Sequence, residues 1–362
     1  MTRAEPNRAR QRTEWLRKRR AADAVLPRYD LAGARLTLIG HAVNAVFRVD
    51  APLALPAPVG SSPASPASST GARRRFVLRV YQPASGGYVA NHDTPSILSE
   101  LAWVRSLRHD AGLVVLDPIP AYDGALLTEV EGDSLDPWRC VLSAWVPGRR
   151  YSTGLTPARL ERVGRFMGRM HAHAAAFVPP AGFTRPRWDW ERLFGAASVL
   201  DPARGGLVFD AAERDVFAAL ARHADGVMRA LGEGPRVFGL IHSDLHQGNY
   251  LFQGGDVHAI DFDECGFGHY LFDIAVTLFA LRRREDYASL RAAFLQGYCR
   301  EHALTKRDEG YLETFLALRV VDFVNWIMSW TSPDDRSWGR AYLAHAGVMV
   351  RAFLNGEPWG EA

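Results

Sequence analysis

Residues 241–263 read IHSDLHQGNYLFQGGDVHAIDFD, and six side chains that can move a proton or hold a metal crowd into them: His242, Asp244, His246, Asn249, Asp261 and Asp263. Between them, Leu251-Phe252 and Val257–Ile260 are short apolar runs on either side of Gln253-Gly254-Gly255-Asp256, the pattern of a hairpin with a glycine turn. Such a hairpin folds Asp244 and Asn249 back toward Asp261, so two carboxylates and an amide oxygen meet at one end of a ribbon. Hard oxygen donors of this kind suit Mg²⁺, which keeps its waters and binds through one or two carboxylates plus phosphate oxygens. Zinc would draw on the histidines, but His246-x-x-Asn249 is not a zinc spacing and no cysteine sits suitably.

Two further stretches give this segment a context. His242 to Asn249 has the form His-x-Asp-x-x-x-x-Asn, and Ile260-Asp261-Phe262-Asp263 follows it. Phe267-Gly268-His269-Tyr270-Leu271-Phe272-Asp273-Ile274-Ala275 comes next, and Val163 to His173 (VGRFMGRMHAH) lies upstream. In this order the elements resemble those of the aminoglycoside phosphotransferase and choline kinase family, the small-molecule relatives of protein kinases, over about residues 35–350. The resemblance implies an α+β, protein-kinase-like two-lobe fold with a β-rich first lobe, a larger helical second lobe and the active-site cleft between them. It implies an ATP- and Mg-dependent enzyme moving the γ-phosphate to a hydroxyl of a small molecule: an aminoglycoside, choline, homoserine or a similar amino alcohol.

Phosphoryl transfer asks a protein for positioning and charge neutralisation more than for covalent chemistry. On the family pattern Asp244 accepts or orients the substrate hydroxyl, and Asn249 with Asp261 holds Mg²⁺ at the nucleotide phosphates. His242 supports the loop, Asp263 stands behind the metal or touches a second one, and Asp273 fixes the loop's architecture. Arg79 takes the place of the usual strand lysine and Glu100 that of its helix partner; arginine keeps the charge and can grip phosphate with two N–H groups. Gly40–Ala45, with Asn44, would cover the phosphates. Val141–Gly148 resembles the link that receives adenine, through the Ala144 carbonyl and the Val146 amide. Two other readings share the fold: a protein Ser/Thr kinase like the bacterial stress-response members, and a non-catalytic nucleotide-binding protein.

The elements that must hold these groups show in the periodicity. Apolar positions in 36–50 read as two strands, Phe76–Tyr81 as a third, and short stretches near 125–130 and 139–145 as two more. Residues 51–72 are rich in Pro, Ala and Ser and read as a flexible insertion in a hairpin. Helical spacing appears at 94–108, begins again at 156, and recurs at 209–232, 270–283, 286–302, 308–330 and 337–354. The division expected is a basic arm 1–25, a first lobe 26–140, a hinge 141–148 and a helical lobe 149–362. On the helix 308–330, Asp322, Asn325, Trp326 and Trp330 share a face that mixes polar groups with tryptophan, as a substrate cleft does.

Composition bounds the rest. The chain has 362 residues, 48% of them hydrophobic and 23% charged, which are globular proportions. Three cysteines, Cys140, Cys265 and Cys299, are too few and too widely spaced for a disulfide framework. No apolar run spans a bilayer and the first residues lack the apolar core of a secretory signal, so a cytoplasmic protein with no membrane partner is expected. Lys18 and Lys306 are the only lysines, so no function between them can use a lysine. The first twenty residues hold eight basic and two acidic side chains, which leaves the body at −3. That density of like charge predicts a solvated, frayed arm. Nucleic-acid binding would rest on the arm alone, since no aromatic interleaving follows it. The mildly acidic body hints at a cationic acceptor but is too weakly charged to decide one.

Overall fold

The structure is a computed structural model that describes residues 4–41, 44–52, 73–81, 88, 92–131, 136–151, 153–201, 209–329 and 337–358. The first part of the chain builds a five-stranded antiparallel sheet in the order β1-β2-β3-β5-β4. Its strands are β1 (Arg35–His41), β2 (Ala45–Pro52), β3 (Arg73–Tyr81), β4 (Thr128–Val130) and β5 (Trp138–Ala144). Side chains alternate across the pleat. Leu78 and Val80 of β3 therefore join Phe47, Val49 and Leu142 in a core on one face, and Arg79 between them points to the other. The central part of the expected insertion, residues 53–72, lies outside the described residues, as do positions 42 and 43 of the Gly40–Ala45 loop and Trp330.

The arm differs from expectation. Residues Ala4–Val25 form a helix, α1, instead of a frayed segment. Its last turns bury Lys18, Ala21, Ala22 and Val25, the last three in the core under the sheet. Small apolar residues at helical spacing give α1 a face to bury, and packing of that face outweighs the repulsion among its arginines.

On the opposite face of the sheet lies α2 (Thr94–His109). Asp93 caps it by accepting the Ser96 amide at 2.8 Å, and Pro95 suits its first turn. Ile97 and Leu101 pack on Tyr81 and Val141, which sets Glu100 against Arg79.

The second part is helical: α3 (Pro157–Ala176), α4 (Trp190–Phe194), α5 (Ala211–Leu231), α6 (Tyr270–Phe279), α7 (Tyr287–Cys299), α8 (Lys306–Glu309), α9 (Leu312–Ser329) and α10 (Ser337–Asn355). Between α3 and α6 run short strands, β6 (Arg187–Trp188), β7 (Phe238–Ile241), β8 (Tyr250–Gln253), β9 (Asp256–Ala259) and β10 (Gly266–His269). β8 and β9 pair as the hairpin read from the sequence, and β6-β10-β7 form a small sheet beside it. The helices α3 and α7 touch backbone to backbone: a Cβ on Gly164 would lie 2.0 Å from the Phe294 carbonyl oxygen, and one on Gly297 1.9 Å from that of Glu161. The link Val141–Gly148 is tied to the hairpin by paired backbone hydrogen bonds between Arg149 and Phe252, each 3.0 Å. Among the described residues no helix is long and apolar enough to cross a membrane.

Candidate active site

The loop after β7 is held by one buried carboxylate. Asp273, in the first turn of α6, accepts the His242 amide at 2.8 Å and the Ser243 amide at 2.7 Å. His171 of α3 completes the clamp at 3.1 Å, and its other ring nitrogen meets Tyr298 of α7 at 2.9 Å. The clamp holds Ser243 at φ 64, a left-handed backbone that a non-glycine residue adopts only under constraint. Asp244 is the next residue. His242 is wholly buried; its ring accepts the Asp244 amide at 3.3 Å and stands 3.1 Å from the Ile260 carbonyl oxygen. These contacts join the loop to the segment that carries Asp261.

The hairpin brings the expected groups together. Asn249 donates to the Asp244 carboxylate and to its backbone oxygen, both at 2.9 Å, while the Asn249 carbonyl accepts the Ile260 amide at 2.9 Å. Asp244, Asp261 and Asp263 then line one cleft of about 280 Å³ between the sheet and the helices. Asp261 also has left-handed backbone, φ 70, and its carboxylate bonds Arg79 from β3. The same guanidinium stands 3.7 Å from Glu100 and 3.8 Å from Asp263. Asn44 reaches across from the start of β2 and donates to Asp263 at 3.0 Å.

Electrostatics separate the two principal aspartates. Burial pushes both carboxyls up. At Asp244 the His246 hydrogen bond and ring, with Arg319 and His242, outweigh burial and hold the group at about 2. At Asp261 the neighbouring Asp263 adds to burial, Arg79 only partly offsets them, and the carboxyl is pushed up to about 6. Glu264, beside them, is pushed up to about 8 by burial and by Asp263. Glu100 is also raised by burial, against the pull of Arg79.

Asp261, Asp263 and the amide of Asn249 supply hard oxygen donors, and the raised Asp261 marks a place where negative charge is short of compensation. That donor set fits a hard divalent cation such as Mg²⁺. Among the described residues no group of three or more His, Cys, Asp or Glu is gathered as a metal cluster, so an ion here would need the Asn249 oxygen and phosphate oxygens to complete its shell.

The remaining expectations divide. Ala144 ends β5 with its amide on the Asp117 carbonyl oxygen at 2.8 Å, and Val146 is buried in the link. Asp322 and Trp326 line the cleft, but Asn325 does not. Asn325 is fully buried and spends its amide on Ser198 and the backbone of Val199, Leu193 and Val321. At about 100° per residue, Asn325 sits some 60° to one side of Asp322 on α9, while Trp326, Arg319 and Phe323 fall on the other side, toward the cleft. Spacing alone therefore placed one of the three on the wrong face.

Several cleft residues were missed. Arg319 donates to Asp244 at 2.8 Å and bonds Asp322, which also accepts the Tyr88 hydroxyl at 2.7 Å. Arg185 holds the carbonyls of Asp263 and Cys265 and the backbone of Ser96 in α2, which joins the acidic segment to the first lobe. The one sequence signal was the i, i+3 pair Arg319–Asp322 on an apolar helix, where charges require partners.

Comparison with known proteins places this geometry. The model of a family described as the phosphotransferase enzyme family matches residues 55–311. The chain is 24% identical over 237 residues to the amicoumacin kinase of Bacillus subtilis (strain 168), a match covering 62% of this chain and 66% of that protein. The solved structure of a microcompartment-associated aminopropanol kinase superposes with a TM-score of 0.75 at 25% identity, covering 94% of this chain and 98% of that one. An amicoumacin kinase in complex with AMP-PNP, Ca²⁺ and Ami has the same fold, with a TM-score of 0.66 at 19% identity over 89% of each chain.

Proposed function

Because the chain belongs to the phosphotransferase enzyme family, we propose that it carries the γ-phosphate of ATP, in the presence of Mg²⁺, to a hydroxyl of a small molecule. The acceptors suggested by the resemblance are an aminoglycoside, choline, homoserine or a related amino alcohol. The observation that carries the reading is the cleft itself, in which Asp244 and Asp261 face one space beside an arginine anchored by Glu100. A relative binds AMP-PNP together with Ca²⁺, which supports a nucleotide and a divalent ion here.

In this reading Asn249 and Asp261 hold the ion, whose contribution is to neutralise phosphate charge. Asp244 is ionised far below neutral pH, too weak a base to strip a hydroxyl early. It therefore holds the acceptor hydroxyl as a hydrogen-bond acceptor and takes the proton late, as a loose phosphoryl transition state allows. Arg79 serves as the phosphate-side cation in place of lysine, with Glu100 orienting it. Asn44 and the segment 40–45 cover the phosphates, the Ala144 carbonyl and Val146 amide receive the base, and Asp263 supports the metal side. His242 and Asp273 position the loop. Asp322 and Trp326 border the acceptor.

The test is ADP release from the purified full chain over a panel of hydroxyl compounds, compared with Asp244→Asn. The variant is expected to lose about 10²–10⁴-fold in kcat when assayed below its own melting transition, which falls because buried Arg319 loses an ionised partner. Turnover equal to wild type would remove Asp244 from the chemistry.

A further inference from the structure

A chain of four side chains runs from the first lobe to Asp244. Arg319 of α9 donates from one terminal nitrogen to Asp244 at 2.8 Å and bonds Asp322, one turn further on, from the other. Asp322 uses its second oxygen to accept the Tyr88 hydroxyl at 2.7 Å. Tyr88 lies between β3 and α2, 234 positions away in sequence. Its ring is nevertheless buried among residues of the helical lobe, edge-on to Trp188 and 4.5 Å from the Arg192 guanidinium. Arg192 also donates to the Tyr88 carbonyl oxygen. Burial and Asp322 push the Tyr88 hydroxyl well above its ordinary pKa, so it stays a donor. Tyr88, Asp322 and Arg319 are all buried.

Two of the four groups sit on α9, and α9 is itself fixed. Asn325, on its next turn, donates to the Leu193 carbonyl oxygen and accepts the Ser198 hydroxyl. Phe323 lies 4.3 Å from the Arg319 guanidinium and sets its plane. A guanidinium given to Asp244 alone would compete with an acceptor hydroxyl for that carboxylate. Shared with Asp322 it belongs to a pair of zero net charge, so Asp244 keeps its negative charge while one oxygen is held in place. An oxygen that accepts one N–H has a second lone pair for a hydroxyl.

We propose that Arg319 is the positioning residue of Asp244, held to that task by Asp322 and, through Asp322, by Tyr88 of the first lobe. The inference rests on the phosphotransferase reading of the cleft and deepens it. The carboxylate that meets the acceptor hydroxyl is aimed from the lobe that carries Arg79, so one arrangement of the lobes sets both the phosphate side and the acceptor side. Asp322 then does more than border the acceptor: it acts on the chemistry through Arg319.

The test is steady-state ADP release from the full chain with ATP, Mg²⁺ and homoserine, choline or kanamycin as acceptor, alongside melting curves. Arg319→Gln should lower kcat about 10²-fold, the cost of misplacing a reacting group by about 1 Å. The KM values for ATP and acceptor should stay as in wild type, as when the interaction lost acts in the transition state. Arg319→Lys keeps the buried charge and is the second variant if the first does not fold. Without a fork to span two carboxylates it should still lose about tenfold. Tyr88→Phe removes one hydroxyl, keeps the ring and should lose about fivefold. Asp322→Asn should lower kcat alone but lower it no further when combined with the folded Arg319 variant, because it works through that arginine. A merely structural role would shift the melting curves and leave the kcat of the folded variants unchanged. The proposal is overturned if the folded Arg319 variant keeps its kcat, if only the acceptor KM rises, or if the losses at 319 and 322 multiply. Any of these beside an active wild type discards the positioning role and keeps the phosphotransferase. A wild type that releases no ADP with any of the three acceptors discards both.

Discussion

Asp273→Asn attacks the catalytic loop from behind, at a residue outside the cleft lining. The carboxylate takes two backbone N–H groups, at 2.8 and 2.7 Å, and the His171 ring at 3.1 Å, all out of contact with water. Asparagine has the same shape but only one acceptor oxygen. In either orientation of the amide, its NH₂ faces the N–H of His242 or of Ser243. His171 can adapt by exchanging tautomers with Tyr298; a backbone amide cannot. The change loses one hydrogen bond to a charged acceptor, worth about 1.5–3 kcal/mol, and leaves a buried donor facing a donor, about 1–3 kcal/mol more. We expect a stability loss of about 3–5 kcal/mol in urea unfolding. Ser243 should feel it further. Its φ of 64 costs about 1–2 kcal/mol and persists because the clamp imposes it. A loosened clamp lets the backbone relax to negative φ and turns Asp244 away from its partners. ADP release, measured where both proteins remain folded, should therefore show a lower kcat. A loss of stability under about 1 kcal/mol would refute the hydrogen-bond accounting, and a large loss with unchanged kcat would refute the link from the clamp to Asp244.

Two further predictions follow from the same structure. Asp261, at about 6 in the folded protein against about 3.9 in an unfolded chain, holds its proton more tightly when folded. The stability it contributes is fully present below about pH 4 and lost as pH rises through about 6. In EDTA, Asp261→Asn should therefore gain in melting temperature relative to wild type between pH 4.5 and pH 7.5; a flat or opposite difference would sink the assignment. Gly164→Ala should destabilise by about 1–3 kcal/mol, because its Cβ would lie 2.0 Å from a carbonyl oxygen of α7. Gly226→Ala on α5, with nothing within 4 Å of the new Cβ, should instead stabilise by about 0.5–1 kcal/mol, and equal urea midpoints for the pair would contradict the close approach of α3 and α7.

What was legible in the sequence was local. The β8–β9 hairpin shows because two short apolar runs flank paired glycines, and its closure carries Asn249 to the Ile260 backbone without help from distant chain. The strand holding Arg79 shows because the pleat puts polar and apolar residues on alternate faces. Arg319, by contrast, reaches Asp244 across 75 positions, and Arg185 reaches Cys265 across 80. Pairings of that range depend on how helices stack, which no short window contains. α1 misled for a related reason. Its charge density is visible in sequence, whereas the sheet face that receives Ala22 and Val25 exists only after β2, β3 and β5 have paired. Asn325 shows the limit of periodicity: spacing gives a face about 100° wide, and the cleft edge falls inside it.

Overall charge says little about the cleft, and the local layout shows why. The cleft is lined by Asp244, Asp261, Asp263, Glu264 and Asp322 together with Arg79 and Arg319. With Glu264 pushed up to about 8 it is mostly protonated at neutral pH, so four carboxylates face two arginines, an excess of two negative charges. That excess is what a divalent cation removes.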